Sequence, residues 1–464
     1  MSGLSTVLNF ELGDNFENVF PHFITKLIFG PSAGFGLITS SALSVFDKSY
    51  DEYEYEEIKA FEAKRRNKIK PGDIDFRTPG HTLAVGTTGS GKTANILRYV
   101  ERSIEREEPV IILDGKGSMA QYSLYDTTMK LAEKHNRKVY VFNQTNPNQT
   151  NPYNPFAGTT ATQTKDMLLS LSEWSEDHYK NLAAVYWQAM ADITIKSKQI
   201  VSFDSLTKYS NREELMELVK DSLSKGLITQ EKAAYMRSKI EGQAGQEAAT
   251  QAARFEANCK GDGKNLFAEN GFNIRQVYAE NAIVICLLNP LKFGDFARSC
   301  GKLILQDIKN LAGKLQATGA NCKSLVVMDE LGVYVDDSMI DLLNKTRETK
   351  IKVVAATQTT VDIDKHSPEL TQQIIDNSQS FIMLRVNDNA AAEELSQIPG
   401  TRKAVEKTAR SSQNLDTGES SNKIVEEMIV HPNDLKRLPT NEGFFYDKNT
   451  LKIVKFKTKF VSIN

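Results

Sequence analysis

Eight consecutive residues carry the strongest chemical signal in this 464-residue chain. Gly86, Thr87, Thr88, Gly89, Ser90, Gly91, Lys92 and Thr93 fit the pattern G-x-x-x-x-G-K-[ST]. Glycines let the backbone curl so that successive N–H groups point at phosphate oxygens, and a following helix adds partial positive charge. Lys92 is placed to reach the β- and γ-phosphates of a nucleotide, and the Thr93 hydroxyl to ligate Mg²⁺. A glycine-rich turn with an incidental lysine would also satisfy the pattern. The context argues against that, because an apolar run, Thr82–Val85, precedes the loop and a helix-like run, Ala94–Ile104, follows it.

The carboxylates for such chemistry come later. Leu325 to Met328 is an apolar strand that ends in Asp329 and Glu330. Asp329 suits Mg²⁺, and Glu330 suits orientation and deprotonation of an attacking water. Metal coordination lowers a carboxylate's basicity, so two adjacent acids divide two jobs. The next strand, Ile351–Ala356, runs into Thr357 and Gln358, and an amide at a neighbouring strand tip can touch the γ-phosphate or the water. A ring-forming NTPase also needs a cation that reaches the transition state from an adjacent subunit. Arg347 is the first choice for this arginine finger and Arg385 the second; an exposed salt-bridge arginine is the plain alternative for each.

Elements must hold these residues together. Strand-like runs at 82–85, 110–113, 139–142, 283–288, 325–328, 353–356 and 381–386 alternate with helical segments. Strand–helix alternation predicts an α/β fold with a mostly parallel sheet covered on both faces. The alternation stops between about 165 and 262, where helical periodicity predicts an all-helical insertion domain. There, Ser210 with Glu213 reads as a capping box ahead of Leu215, Leu218 and Val219. Polar residues 411–423 read as a mobile loop. The domain reading is therefore an N-terminal segment over 1–70, a nucleotide-binding domain split into 71–164 and 263–464, and the insertion over 165–262.

Composition excludes little. With 57 basic and 59 acidic residues, the net charge of −2 points to neither nucleic acid nor membrane, so any DNA surface must be local. Lys292 with Arg298, and Arg402, Lys403, Lys407 and Arg410, are candidate phosphate contacts; solvated faces are the plain alternative. Cys259, Cys286, Cys300 and Cys322 form no CxxC pair, which fits thiols in a reducing compartment. No secretory signal is read at the N-terminus. Residues 27–46 are free of charge but carry Gly30, Pro31, Gly34 and Gly36, and read as a packed or surface segment rather than a spanning helix. Residues 47–70 run from acidic to basic, as an exposed helix would.

Beyond these motifs the sequence resembles the type IV secretion coupling proteins, the RecA-like ATPases of conjugative DNA transfer. In order, the residues that carry the resemblance are the phosphate loop and Asp114-Gly115-Lys116-Gly117. Next come Asn151-Pro152-Tyr153-Asn154-Pro155-Phe156, a helix AAVYWQAMADI in the insertion, and MDEL. Last come ATQT, FIMLRVNDNAAAEELS to Gly400, and HPNDLKRLPTNEGFFY. The resemblance spans roughly 75–450. It implies ATP with Mg²⁺ as the working pair and a homo-oligomer, specifically a hexameric ring. It also implies translocation of single-stranded DNA, in preference to double-stranded, towards a secretion channel, with a relaxase or secretion-system protein as partner. The insertion would receive substrate. Lys92, Thr93, Asp329, Glu330, Gln358 and Arg347 match the family's positions. Two departures stand out. The family carries two N-terminal membrane helices, whereas here 1–70 offers one charge-free stretch. That predicts either docking through 1–70 on a membrane-protein partner at the cytoplasmic face of the inner membrane, or a soluble branch of the family. The other is Ser118, where an acidic residue is common. A double-stranded DNA pump of the chromosome-partition type and an ATP-switched receptor for protein substrates are the competing readings.

Overall fold

The protein is described by a computed structural model covering residues 69–462, apart from 172, 173, 175, 242–247, 249–252, 254–260, 262, 320–322, 337, 413 and 414. The segment 1–68, with its charge-free stretch and its acidic-to-basic run, lies outside the described residues, as do Cys259 and Cys322.

The chain opens with β1 (His81–Val85), α1 (Lys92–Glu105), β2 (Val110–Asp114), α2 (Leu124–Lys134) and β3 (Val139–Asn143). Helices α3 (Ala161–Ser170), α4 (Asp177–Lys196), α5 (Phe203–Ser210), α6 (Arg212–Ser224) and α7 (Gln230–Ile240) follow. Alternation resumes with α8 (Ile274–Ala279), β4 (Ile283–Leu287), α9 (Pro290–Phe293), α10 (Asp295–Thr318), β5 (Ser324–Asp329), α11 (Ser338–Glu348) and β6 (Ile351–Thr357). It continues through α12 (Val361–Asp364), α13 (Pro368–Asn377), β7 (Ser378–Met383) and α14 (Asn389–Gln397). The chain closes with β8 (Thr401–Ser412), β9 (Leu415–Met428), α15 (Pro432–Lys436), β10 (Glu442–Asp447) and β11 (Lys452–Lys457).

Nine strands form one sheet in the order β11-β10-β7-β1-β6-β5-β2-β4-β3. Strands β1 to β7 pair in parallel, and β10 and β11 add an antiparallel edge. The reason lies in the strand sequences. They are apolar at consecutive positions, not alternate ones, so both faces must be covered. Leu83, Val85, Ile111, Leu113, Val326 and Met328 pack on one side with Ile304 and Ile308 of α10. Ala84, Val110, Ile112, Leu325 and Val327 pack on the other with Ile96, Val100 and Ile104 of α1. Each Val, Leu, Ile or Met among them contributes about 1.5–3 kcal/mol on burial, which makes the sheet a rigid platform for what its strand ends carry.

Helices α3 to α7 gather a core of their own, including Met167, Tyr186, Trp187, Met190, Leu215 and Met236, which reaches Leu303 of α10. The Asn151–Phe156 motif joins the two cores. Tyr153 belongs to the sheet core and donates its hydroxyl to Asp307 at 2.7 Å, while Phe156 belongs to the helical core. Asn154 stitches the joint by donating to the carbonyls of Val201 (3.1 Å) and Glu269 (2.9 Å).

Two local expectations change. The cap of α6 is Asn211, whose side chain accepts from the Glu213 and Glu214 amides, whereas Ser210 turns its hydroxyl back to Leu206 within α5. The two helices are consecutive, so the one residue left non-helical between them takes the cap. Residues 411–423 are not a loop. They belong largely to β8 and β9, which pair as a two-stranded sheet. A ribbon that is polar at most positions shows no period-2 apolar pattern, so nothing in it announces a strand. Among the described residues, no helix is long and apolar enough to cross a membrane.

Candidate nucleotide site

The candidate residues converge at the C-terminal ends of β7, β1, β6, β5 and β2, adjacent strands in the sheet. The loop Gly86–Thr93 leaves β1 and is fastened to both neighbours. Gly86 N–H donates to the Thr357 carbonyl at 3.3 Å, and Thr87 N–H to the Arg385 carbonyl at 2.8 Å. A Cβ on Gly86 would come within 2.6 Å of Leu384 Cβ, so the loop can lie this close only with glycine there. Gly91 adopts φ +107, and a Cβ would meet Asn441 Oδ1 at 2.7 Å. No side chain caps α1, so its first amides stay available to an anion.

Lys92 is buried and folds back on the loop, donating to the carbonyls of Gly86 and Thr87. Burial holds its pKa below the usual lysine value, and the Lys116 ammonium pushes the same way against Glu330 and Asp329. Asp329 ends β5 and is buried. Burial raises its pKa, and the Lys116 cation partly offsets this. Glu330 follows in a left-handed conformation (φ 55) that turns it out of the strand. Gly115, on the adjacent strand end, makes room for it, since a Cβ there would sit 2.9 Å from Glu330 Cβ.

A chain of contacts links the parts. Thr88 Oγ1 donates to Gln358 Oε1 at 3.1 Å, and Gln358 Nε2 donates to Glu330 Oε2 at 3.0 Å. Lys116 Nζ lies 2.6 Å from Glu330 Oε1 and 3.7 Å from Asp329 Oδ2. The structure thus brings Thr88, Gln358, Glu330 and Asp329 together. It does not bring Arg385's side chain into this chain; its carbonyl serves the loop, and its Nε has no hydrogen-bond partner among the described residues. Arg347 lies in α11, its side chain outside the described residues.

Sequence reasoning left Lys116 and Asp114 without roles. Asp114 is buried opposite Asp329 in the β2–β5 register, and accepts from the Lys116 and Gly117 amides. Burial, then the Asp329 charge, pushes its pKa up to about 6. The strand-tip argument that found Gln358 would have found Lys116 as well. Nothing local would have found Asn441, whose N–H donates to the Ser90 carbonyl at 3.1 Å from far along the chain.

A cavity of about 890 Å³ opens beside the loop, lined by Lys92, Thr93, Lys116, Tyr122, Asn441 and Phe460 among others. The glycine cradle and the free helix amides fit a nucleotide's phosphates. The Thr93 hydroxyl with the Asp329 carboxylate is a hard oxygen donor set, which fits Mg²⁺.

The comparisons agree with this architecture. The family model described as type IV secretory system conjugative DNA transfer matches residues 40–459. The unbound bacterial conjugative coupling protein TrwBdeltaN70 superposes with a TM-score of 0.59 at 16% identity, covering 82% of this chain and 85% of that one. The plasmid coupling protein TrwB in complex with ADP and Mg²⁺ gives 0.56 at 16% identity, covering 85% and 90%. VirB4 of Thermoanaerobacter pseudethanolicus gives 0.50 at 13% identity, covering 84% and 92%. At these identities the structural likeness speaks for the fold. No curated protein matches the sequence. The family match, over most of the chain, is the decisive finding: this protein belongs to the type IV secretory system conjugative DNA transfer family.

Proposed function

We propose that this chain is an ATP-driven coupling ATPase that binds single-stranded DNA, or a nucleoprotein carrying it, and moves it towards a conjugation channel. The observation that carries the ATPase reading is the unbroken line Thr88–Gln358–Glu330–Lys116 beside the glycine cradle. Lys92 and the loop amides bind the β- and γ-phosphates and neutralise charge that develops on them. Glu330 accepts a proton from the attacking water. Gln358, touching both Thr88 and Glu330, reports the state of the phosphate to the general base. Mg²⁺, when held by Thr93 and Asp329, supplies charge neutralisation at the phosphate oxygens. Arg347 completes a neighbouring subunit's site in a homo-hexamer.

Helices α3 to α7, with their separate core, receive the substrate, and residues 1–70 dock on a membrane-protein partner at the cytoplasmic face of the inner membrane. Just past β4, Leu291 is almost wholly exposed and Lys292 lies 5.0 Å above the Phe293 ring. An apolar side chain next to a cation suits a DNA strand's bases and phosphates. Arg298 pairs with Asp295, and Arg402 with Glu427 at 3.1 Å, so these two serve DNA only by giving up a carboxylate.

The test is ATP hydrolysis by assembled protein with and without single-stranded DNA, with Lys92→Ala as control. Strong stimulation that Lys92→Ala abolishes is the expected result. Preference for duplex DNA would replace the substrate with double strands. Slow turnover, tight nucleotide binding and no DNA response in a verified oligomer would leave the receptor reading, which the separate helical core favours.

A further inference from the structure

A second cationic hollow lies at the opposite end of the central strands. It forms where β1, β5 and β6 begin, beneath the C-terminal end of α1, and encloses about 530 Å³. Strands of five to seven residues separate it from the glycine-rich loop by roughly 16–23 Å at about 3.3 Å per residue. Six cations line it, Arg77, Arg102, Arg106, Lys323, Lys350 and Lys352, against one carboxylate, Glu108. Glu108 is occupied by the Ser103 hydroxyl at 2.8 Å, and Arg77 is spent on Asp75 at 3.0 Å.

Two features set this apart from a solvated basic face. Ser324 is 3% exposed and lines the hollow, and its hydroxyl has no hydrogen-bond partner among the described residues. A buried, unpartnered hydroxyl is destabilising unless something bonds to it. Lys352 is sunk into the wall, donating to the Thr78 carbonyl at 2.6 Å and lying 4.9 Å from the Tyr99 ring centre. Arg102 and Arg106 also suit the negative end of the α1 dipole. That role does not account for Lys350 and Lys352 on the far wall.

We propose that this hollow is an anion site that takes a phosphate group of a small phosphorylated molecule, with Arg102, Arg106 and Lys350 as charge partners and Ser324 as a hydroxyl donor. The site stands on residues separate from the nucleotide site and does not rest on the ATPase reading. The shared chemistry is a phosphate, carried by a soluble oligophosphate or by a phospholipid headgroup. A nucleic-acid strand fits less well. The cations converge on a hollow instead of tracking a stripe, and the aromatic residues there, Phe76 and Tyr99, pack on each other at 4.8 Å instead of presenting a face to a base.

The experiment uses the full chain carrying Lys92→Ala, so that the phosphate loop contributes little. Inorganic pyrophosphate is titrated by calorimetry, and sedimentation is measured with phosphatidylcholine vesicles with and without phosphatidylglycerol. Arg102→Ala/Arg106→Ala is expected to weaken binding of one or both probes by at least about tenfold. Ser324→Ala removes only an unpartnered hydroxyl, so it keeps the fold and is expected to weaken binding several-fold. Pyrophosphate binding identifies a soluble phosphate; vesicle binding that needs phosphatidylglycerol, without pyrophosphate binding, identifies a headgroup. Binding of neither probe, or binding indifferent to these substitutions, overturns the proposal.

Discussion

Glu330, the proposed general base, is held by its neighbours. It sits one residue past a strand, in a left-handed conformation, between an amide and an ammonium. Glu330→Gln keeps the shape and the Gln358 contact but cannot take a proton. Hydrolysis should fall by about 10²–10⁴, the usual worth of a general base, while nucleotide binding persists; equal loss of both in a filter-binding and turnover assay would remove Glu330 from that role. Lys352 offers a pH test. Burial lowers its pKa from 10.5 to about 8. The group is therefore a burden on stability below pH 8, and that burden lifts as pH rises from 8 to 10.5, where the unfolded chain also loses the proton. In urea unfolding, Lys352→Met should be more stable than wild type by up to about 3 kcal/mol at pH 7, and the gap should close by pH 10.5. A gap that does not change with pH would contradict it.

Elements are positioned by a few tight contacts. After β2, the chain turns back at Gly117 (φ +57), where a Cβ would lie 2.3 Å from the Leu288 carbonyl oxygen. Gly117→Ala should destabilise the protein by more than about 1–3 kcal/mol and also slow hydrolysis, because the same turn aims Lys116; normal stability and turnover would show the turn to be pliable. The joint between sheet and helices depends on Tyr153. Its hydroxyl is one of two donors to the buried Asp307 Oδ2, the other being the Ile274 amide at 3.2 Å. Tyr153→Phe should cost about 1–3 kcal/mol in the urea midpoint, and a neutral result would mean that Arg275, 4.0 Å away, suffices for Asp307.

At the scale of the whole molecule, the proposed ring makes each site the joint property of two subunits. Lys92→Ala and Arg347→Ala proteins should each be nearly inactive. Mixed before assembly, they should regain roughly a quarter of the sites by random pairing, since an intact loop then meets an intact neighbouring arginine. Mixtures as inactive as their components would place Arg347 outside the site.

The sequence by itself determined the seven parallel strands, and it singled out the glycine-rich loop and the Asp329–Glu330 pair as candidates. Each rests on local chemistry: continuous apolar runs for doubly covered strands, glycines for a curled backbone, and adjacent acids at a strand end. Tertiary structure decided what depends on residues distant in the chain. Strands β10 and β11 extend the sheet, and Asn441 braces the loop. Lys116 meets Glu330 only because β2 and β5 lie side by side. The β8–β9 ribbon went unread because its polar residues carry no apolar period. The basic hollow at the far end of the strands went unread because its cations come from four segments that only the sheet gathers.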